Sequence, residues 1–292
     1  MYQLDFNHPI HIHFIGIGGI SMSGLAEILL EKGFTVSGSD AKASSLTELL
    51  SQKGARIYYG QKAENLSTDI DVVVYTSAIH PDNPEFVAMQ KMGLPSLSRA
   101  QLLGQMMKNY ELPIAISGTH GKTTTTSMVS EILLAADTDP TLSIGGILKT
   151  IGGNIRIGHD GCFVTEACEY TNSFLSFFPK ISIILNIEED HLDFFKDIHD
   201  IRNSFHQFAR LLPSDGTLII NGEIPEINTV LEGLTCKVIT YGSCEAYDYW
   251  PEQICYNETG CASFLLKRKD GFSQQITLGV PGEHNIYNAL AA

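Results

Sequence analysis

Along this chain the spacing of apolar positions switches repeatedly between the period of a strand and that of a helix. Residues 11–16 form a short apolar run. In residues 21–32, Met22, Leu25, Ala26, Leu29 and Leu30 recur at the spacing of one helical face. Gly33 follows, in the position where glycine commonly ends a helix. Residues 35–39 predict a second strand and 46–52 a second helix. Residues 71–75 have the near-continuous β-branched character of a strand buried on both faces. Helices are expected at 84–92 and 99–108, with a short extended piece at 95–97 between them. Strands and helices alternating in this way predict a parallel sheet covered by helices on both faces.

The pattern then restarts. Leu112 and Pro113 interrupt the helical spacing, and residues 114–117 open a new apolar strand. A domain boundary near Asn109 is expected, dividing the chain into 1–109 and 110–292. In the second part, strands are expected at 162–165, 181–185 and 217–220, and helices at 123–136 and 201–212. Residues 249–280 carry short β-like runs without a helical stripe and predict a small antiparallel addition. Two domains suit a chain of 292 residues.

Composition narrows the function. A hydrophobic fraction of 43% and a charged fraction of 18% fit a folded globular protein. The formal net charge of −14, with no run of Lys and Arg, argues against nucleic acid as a partner. The first nine residues lack the basic start and apolar core of a secretion signal. No apolar stretch approaches the ~18 residues of a membrane span, so membrane insertion is not expected. None of the six cysteines forms a C-x-x-C pair, and buried free thiols in a reducing cytoplasm are expected.

The strongest chemical signal is Gly118-Thr119-His120-Gly121-Lys122-Thr123-Thr124, between a buried strand and a helix with Met128, Val129, Ile132 and Leu133 on one face. Glycines let backbone N–H groups approach phosphate oxygens, and the helix N-terminus adds the positive end of its dipole. Lys122 offers a point charge for terminal phosphates and Thr123 a hydroxyl for Mg2+. The loop is two residues shorter than the common phosphate loop, with Ile116 where the first glycine would stand. An ordinary glycine-rich turn would not require strand, Lys-Thr pair and amphipathic helix together. On such an exposed loop, replacement of Lys122 is expected to cost little stability.

Three further signals are weaker alone. Gly16-Ile17-Gly18-Gly19-Ile20-Ser21 approximates a dinucleotide fingerprint with Ser21 for the last glycine, and Asp40 stands near the place of the ribose-binding acid. By themselves these residues fit NAD, a sugar nucleotide, or a turn needed only for packing. Glu166 and Glu169 follow one expected strand, and Asn186, Glu188, Glu189, Asp190, His191 and Asp193 follow another. Ligands of open parallel sheets bind at such strand ends. Glu166 suits Mg2+, whereas His191 is a less usual ligand and the acidic run also reads as the first turn of a helix. Pro281-Gly282-Glu283-His284-Asn285 reads as a helix entrance.

Taken in order, these motifs resemble the Mur ligase family of peptidoglycan synthesis. The resemblance rests on residues 13–23, Ser37-Gly38-Ser39-Asp40, Thr76-Ser77-Ala78-Ile79, the Gly118–Thr124 loop, Glu166-Ala167-Cys168-Glu169, residues 186–191 and Gly282-Glu283-His284-Asn285. It implies a Rossmann-like parallel-sheet domain that binds a UDP-sugar, followed by a P-loop-type α/β domain that binds ATP. Gly16, Gly18, Gly19, Ser21, Asp40, Ser77 and Ala78 would meet the UDP-sugar. Residues 118–124, His284 and Asn285 would meet ATP. Thr123, Glu166 and His191 would hold Mg2+, and Lys122, Glu166 and His191 would serve catalysis. The N-terminal glycine motif and residues 166–175 point to the alanine-adding branch, whose substrates are UDP-N-acetylmuramate and L-alanine, in the cytoplasm. Two departures stand out. In several members a modified lysine follows the metal-binding histidine at the interval His206 occupies here. The family's C-terminal, amino-acid-binding domain is also expected to lie beyond residue 292, so this piece is expected to bind nucleotides without completing ligation.

Overall fold

The computed structural model describes residues 2–76 and 78–292. The chain divides into two compact units between Asn109 and Tyr110. The first contains β1 (His11–Ile15), α1 (Ile20–Glu31), β2 (Thr35–Asp40), α2 (Ser45–Gln52), β3 (Arg56–Tyr59), β4 (Val72–Tyr75), α3 (Pro84–Met92), β5 (Ser96–Ser98) and α4 (Arg99–Met107). Its five strands are all parallel, in the order β3-β2-β1-β4-β5. Strand β1 is central, with Ile12 paired to Val36 on one side and Val72 on the other. The chain winds outward from β1 to β3, then returns to β4 on β1's other flank. The loop after β1 therefore sits at the point where strand order reverses, the place where open α/β sheets leave a crevice for ligands. Ile12 and Phe14 are fully buried. His11 and His13 are also buried, linked through the Ser37 hydroxyl at 2.8 and 2.9 Å.

The second unit contains β6 (Leu112–Ser117), α5 (Lys122–Ala135), β7 (Thr141–Leu148), β8 (Gly153–Arg156), β9 (Cys162–Glu166), β10 (Ile181–Ile184), α6 (Ile198–Ala209), β11 (Thr217–Asn221), α7 (Asn228–Leu231), β12 (Lys237–Tyr241), β13 (Tyr249–Tyr256), β14 (Cys261–Arg268), β15 (Ser273–Pro281) and α8 (His284–Ala291). They build one ten-stranded sheet in the order β15-β14-β13-β12-β11-β10-β6-β9-β7-β8. The strands from β12 to β7 run parallel, and the antiparallel β13–β15 extend the same sheet at one edge. Ile114 pairs with both Val164 and Ile181, so β6 lies between β9 and β10, and the loops following all three share one sheet edge.

The structure departs from expectation in several places. Helix α6 begins at Ile198, three residues earlier than the apolar spacing indicated. The carboxylate of Asp197 caps it by accepting from the Asp200 N–H at 2.9 Å. The acidic run 188–193 is not the first turn of a helix. It is a turn in which His191 takes a left-handed backbone (φ 53°). All six cysteines are free, but only Cys162 and Cys261 are buried, while Cys244 and Cys255 are exposed. Among the described residues, no helix is long and apolar enough to cross a membrane.

Candidate functional site

The residues between β6 and α5 make a tight loop that demands glycine at both ends. Gly118 has φ 145°, and a Cβ there would lie 2.9 Å from the Leu185 Cβ. Gly121 has φ 85°, and a Cβ there would lie 2.7 Å from Asn288 Oδ1. Between them, Asn186 clamps the loop. Its Oδ1 accepts from the His120 N–H at 2.7 Å, its Nδ2 donates to His120 O at 3.0 Å, and its carbonyl accepts from the Thr119 N–H. The Thr119 hydroxyl accepts from the Glu188 N–H at 2.9 Å. These bonds occupy the amides of Thr119 and His120. The amides of Lys122, Thr123 and Thr124 open α5, where no residue four back offers them a carbonyl, and Gly121 gives no side-chain cap. An anion is the natural partner for that helix end.

Lys122 does not stand out from the loop. Its ammonium donates to Gly118 O at 2.6 Å, to Thr119 O at 3.1 Å and to the carboxylate of Glu169 at 3.0 and 3.2 Å. Its side chain is 18% exposed and that of Glu169 only 3%. The expectation of an exposed lysine that costs little to replace is corrected by this pair. Thr123 and Thr124 lie on the first turn of α5. The Thr123 hydroxyl donates to Glu166 Oε2 at 3.1 Å, and Glu166 Oε1 accepts from the Gly145 N–H at 2.6 Å. Thr123 and Glu166 thus form an oxygen-rich pair suited to a hard cation.

His191 borders Glu169 and Tyr170. Its Nε2 lies 4.0 Å from Glu169, and Tyr170 covers its ring at a centroid distance of 4.5 Å. The Tyr170 hydroxyl donates to Asp193 at 2.7 Å, a bond that raises its pKa above the ordinary phenol value. Among the described residues, no three of His, Cys, Asp and Glu gather at metal-binding distance.

Beside the loop is a cavity of about 250 Å³, whose wall includes His120, Asn186, Asn221, Tyr241, His284 and Asn288. His284 therefore borders the same space as the loop. Asn285 does not line it. Its amide donates to Pro281 O at 2.7 Å and accepts from Asn288 at 2.9 Å, which fixes the start of α8. Tyr241 is almost wholly buried, and burial pushes its phenol well above the usual range.

In the first unit the glycine loop is fastened from within. The amides of Gly16 and Ile17 both donate to Ser39 O at 2.9 Å, and that of Gly18 donates to Asp40 Oδ2 at 2.8 Å. Asp40 thereby shapes the loop with the carboxylate that was expected to reach a ribose. Gly19 precedes α1 and offers no side-chain cap, so the first amides of α1, beside Ser21, are left without a capping side chain. Arg99, at the start of α4, donates to the Ser21 hydroxyl at 3.1 Å. Thr76 packs against Gly16, which brings Ala78 near the loop. Ser77 lies outside the described residues. Sequence reasoning selected neither Arg99 nor Asn288, and it named Glu169 and Asn186 at strand ends without giving them a role. Arg99 carries no motif at all, whereas Glu169 and Asn186 stood visibly at strand ends.

Two family models match almost the whole chain. The one described as "Mur ligase family, catalytic domain" covers residues 11–111, and "Mur ligase middle domain" covers 116–292. The chain belongs to the Mur ligase family. Two Mur ligase relatives named UDP-N-acetylmuramate--L-alanine ligase are 60% identical over 292 residues (Agathobacter rectalis) and 61% identical over 293 (Lachnospira eligens). Each comparison covers 100% of this chain, and the chain spans 64% of the length of either relative. Among solved structures, UDP-N-acetylmuramate-alanine ligase MurC from Thermotoga maritima matches with a TM-score of 0.79 and 30% identity, over 97% of this chain and 63% of that one. The UDP-N-acetylmuramate:L-alanyl-gamma-D-glutamyl-meso-diaminopimelate ligase from Neisseria meningitides matches with a TM-score of 0.84 and 30% identity, over 97% of this chain and 92% of that one.

Proposed function

We propose that the chain carries the nucleotide-binding units of a cytoplasmic ATP-dependent ligase. In this reading the enzyme joins L-alanine to the carboxylate of UDP-N-acetylmuramate on the way to peptidoglycan. The observation that carries it is the strand–loop–helix of β6 and α5, with Lys122 and the Thr123–Glu166 pair at one helix end. The names of the 60% and 61% identical relatives support the choice of amino acid and sugar nucleotide.

Residues 110–292 would bind ATP. The first amides of α5 and the Lys122 ammonium would receive the terminal phosphates, and the adenosine would occupy the cavity bordered by His284, Asn288 and Tyr241. Thr123 and Glu166 would hold Mg2+, which when bound offsets phosphate charge. His191, whose present neighbours are Glu169, Asp190 and Tyr170, would join them as a further ligand. Residues 1–109 would bind UDP-N-acetylmuramate, with its diphosphate at the start of α1 beside Ser21 and Arg99.

The reaction follows from the need to activate a carboxylate, which is a poor acyl donor. A muramate carboxylate oxygen bonds to the γ-phosphorus as the bond to the bridging oxygen of ADP breaks, leaving an acyl phosphate. The amine of L-alanine then bonds to the acyl carbon, phosphate leaves and the nitrogen loses a proton. In the first step two anions approach, and Lys122 would offset their repulsion. The test is mass-spectrometric product analysis of the whole protein with ATP, Mg2+, UDP-N-acetylmuramate and L-alanine. UDP-N-acetylmuramyl-alanine is expected. Turnover only with another amino acid or a peptide would move the assignment to a sibling ligase.

A further inference from the structure

Lys122 has three ammonium protons, and all three are engaged. One goes to Gly118 O, one to Thr119 O, and one is shared by the two oxygens of Glu169. A phosphate oxygen can reach this lysine only by displacing one of these partners. The two carbonyls belong to the loop backbone, whose shape is held by Asn186 and by the glycine conformations. Glu169 is the partner that a phosphate competes with directly, since both are anions seeking the same cation. Its side chain is 3% exposed, so water does not screen its charge from the lysine. The next basic group is His191 Nε2, at 4.0 Å.

We propose that Glu169 is a positioning residue that parks Lys122 against the loop and competes with nucleotide phosphate for its ammonium. The inference rests on the ATP reading above and deepens it. A ligand has to displace Glu169 only if its phosphates extend to Lys122, so the pair lowers the affinity for a polyphosphate chain and leaves that for a monophosphate unchanged. A carboxylate at 169 lowers raw affinity while holding the lysine aligned before nucleotide arrives.

The test is calorimetric titration with ATP and with AMP, without divalent metal, of wild-type protein, Glu169→Gln and Glu169→Asp. Glu169→Gln keeps the side-chain length and an acceptor oxygen but removes the charge. It is expected to bind ATP about three- to tenfold more tightly with AMP affinity unchanged. Glu169→Asp keeps the charge one methylene further back, and a smaller tightening is expected. That variant decides the question if the glutamine protein does not fold. Unchanged or weakened ATP binding in a folded variant overturns the proposal. So does equal tightening for ATP and AMP, which a general rearrangement of the site would produce. If wild-type protein binds neither nucleotide, the ATP reading itself falls. If wild type binds ATP and neither variant binds it more tightly, only the competition by Glu169 is lost.

Discussion

Lys122 is both a phosphate ligand in the proposed mechanism and the counter-ion of a buried carboxylate, so its removal has two consequences. Lys122→Ala is expected to weaken ATP binding about 10- to 100-fold, the range of a lost hydrogen bond to a charged group. It also leaves Glu169 buried without its ammonium, which should lower stability by roughly 1–3 kcal/mol. The double variant Lys122→Ala/Glu169→Gln should regain most of the stability and none of the ATP affinity. Thermal melts and calorimetry on the three proteins separate the two effects, and an unchanged melting temperature for Lys122→Ala would remove the counter-ion role. The lysine and its glycines were legible because phosphate chemistry ties them to a short motif. Its pairing with Glu169 was not, because these two residues, 47 positions apart, meet only when β6 and β9 pair.

Helix α6 depends on a cap that the apolar spacing did not reveal. Asp197→Ala removes the side chain that accepts from the Asp200 N–H, and should cost ~1 kcal/mol, or a melting shift of roughly 2–4 °C. A second device at this scale ties the turn after α5 to the end of β8 and the residues just after it. Asp139 meets His159 and Arg156, at 2.9 and 2.5 Å, and these partners hold its carboxyl down to about 2 from the ordinary 3.8. A carboxylate whose folded pKa is depressed contributes stability above its unfolded value and loses it as pH falls through the folded value. The melting difference between wild type and Asp139→Asn should therefore be full near neutrality and vanish as pH drops from about 4 to about 2. A difference that persists at pH 2 would contradict this. Strands β7 and β8 escaped sequence reasoning because residues 141–156 are rich in glycine and lack clean alternation. Their place is set by β9, which pairs with β7 along Phe163, Val164 and Thr165.

In the whole molecule, two sheets with separate cores each carry a glycine loop at the end of a central strand. Each loop is therefore expected to bind its own ligand. Arg99→Ala should weaken UDP-N-acetylmuramate about tenfold, the loss of one charge-assisted contact, and leave ATP affinity unchanged. Lys122→Ala should do the reverse. Titration of both ligands against both variants checks this, with NAD as a third ligand. Binding of NAD in preference to the sugar nucleotide would sink the assignment of the first unit.

The order of apolar and polar positions was enough to determine a parallel α/β architecture, the helices packed on it and the two glycine loops. Those features depend on neighbours within a few residues, where side-chain period and backbone freedom are written directly in the chain. Which side chains meet at the loops was decided by the tertiary structure. The strand ends already put Glu166, Glu169 and Asn186 on the edge of the Lys122 loop, but the pairing of β6 with β9 and β10 decides which of their atoms meet there, and the buried amide of Asn285 turns away from the cavity that His284 borders. The same folding takes the amides of Gly16, Ile17 and Gly18 for internal bonds and brings the distant Arg99 to Ser21 at the start of α1. The physical reason is that a buried polar group must find a partner wherever the packed chain supplies one, and that partner can be a hundred residues away or next door.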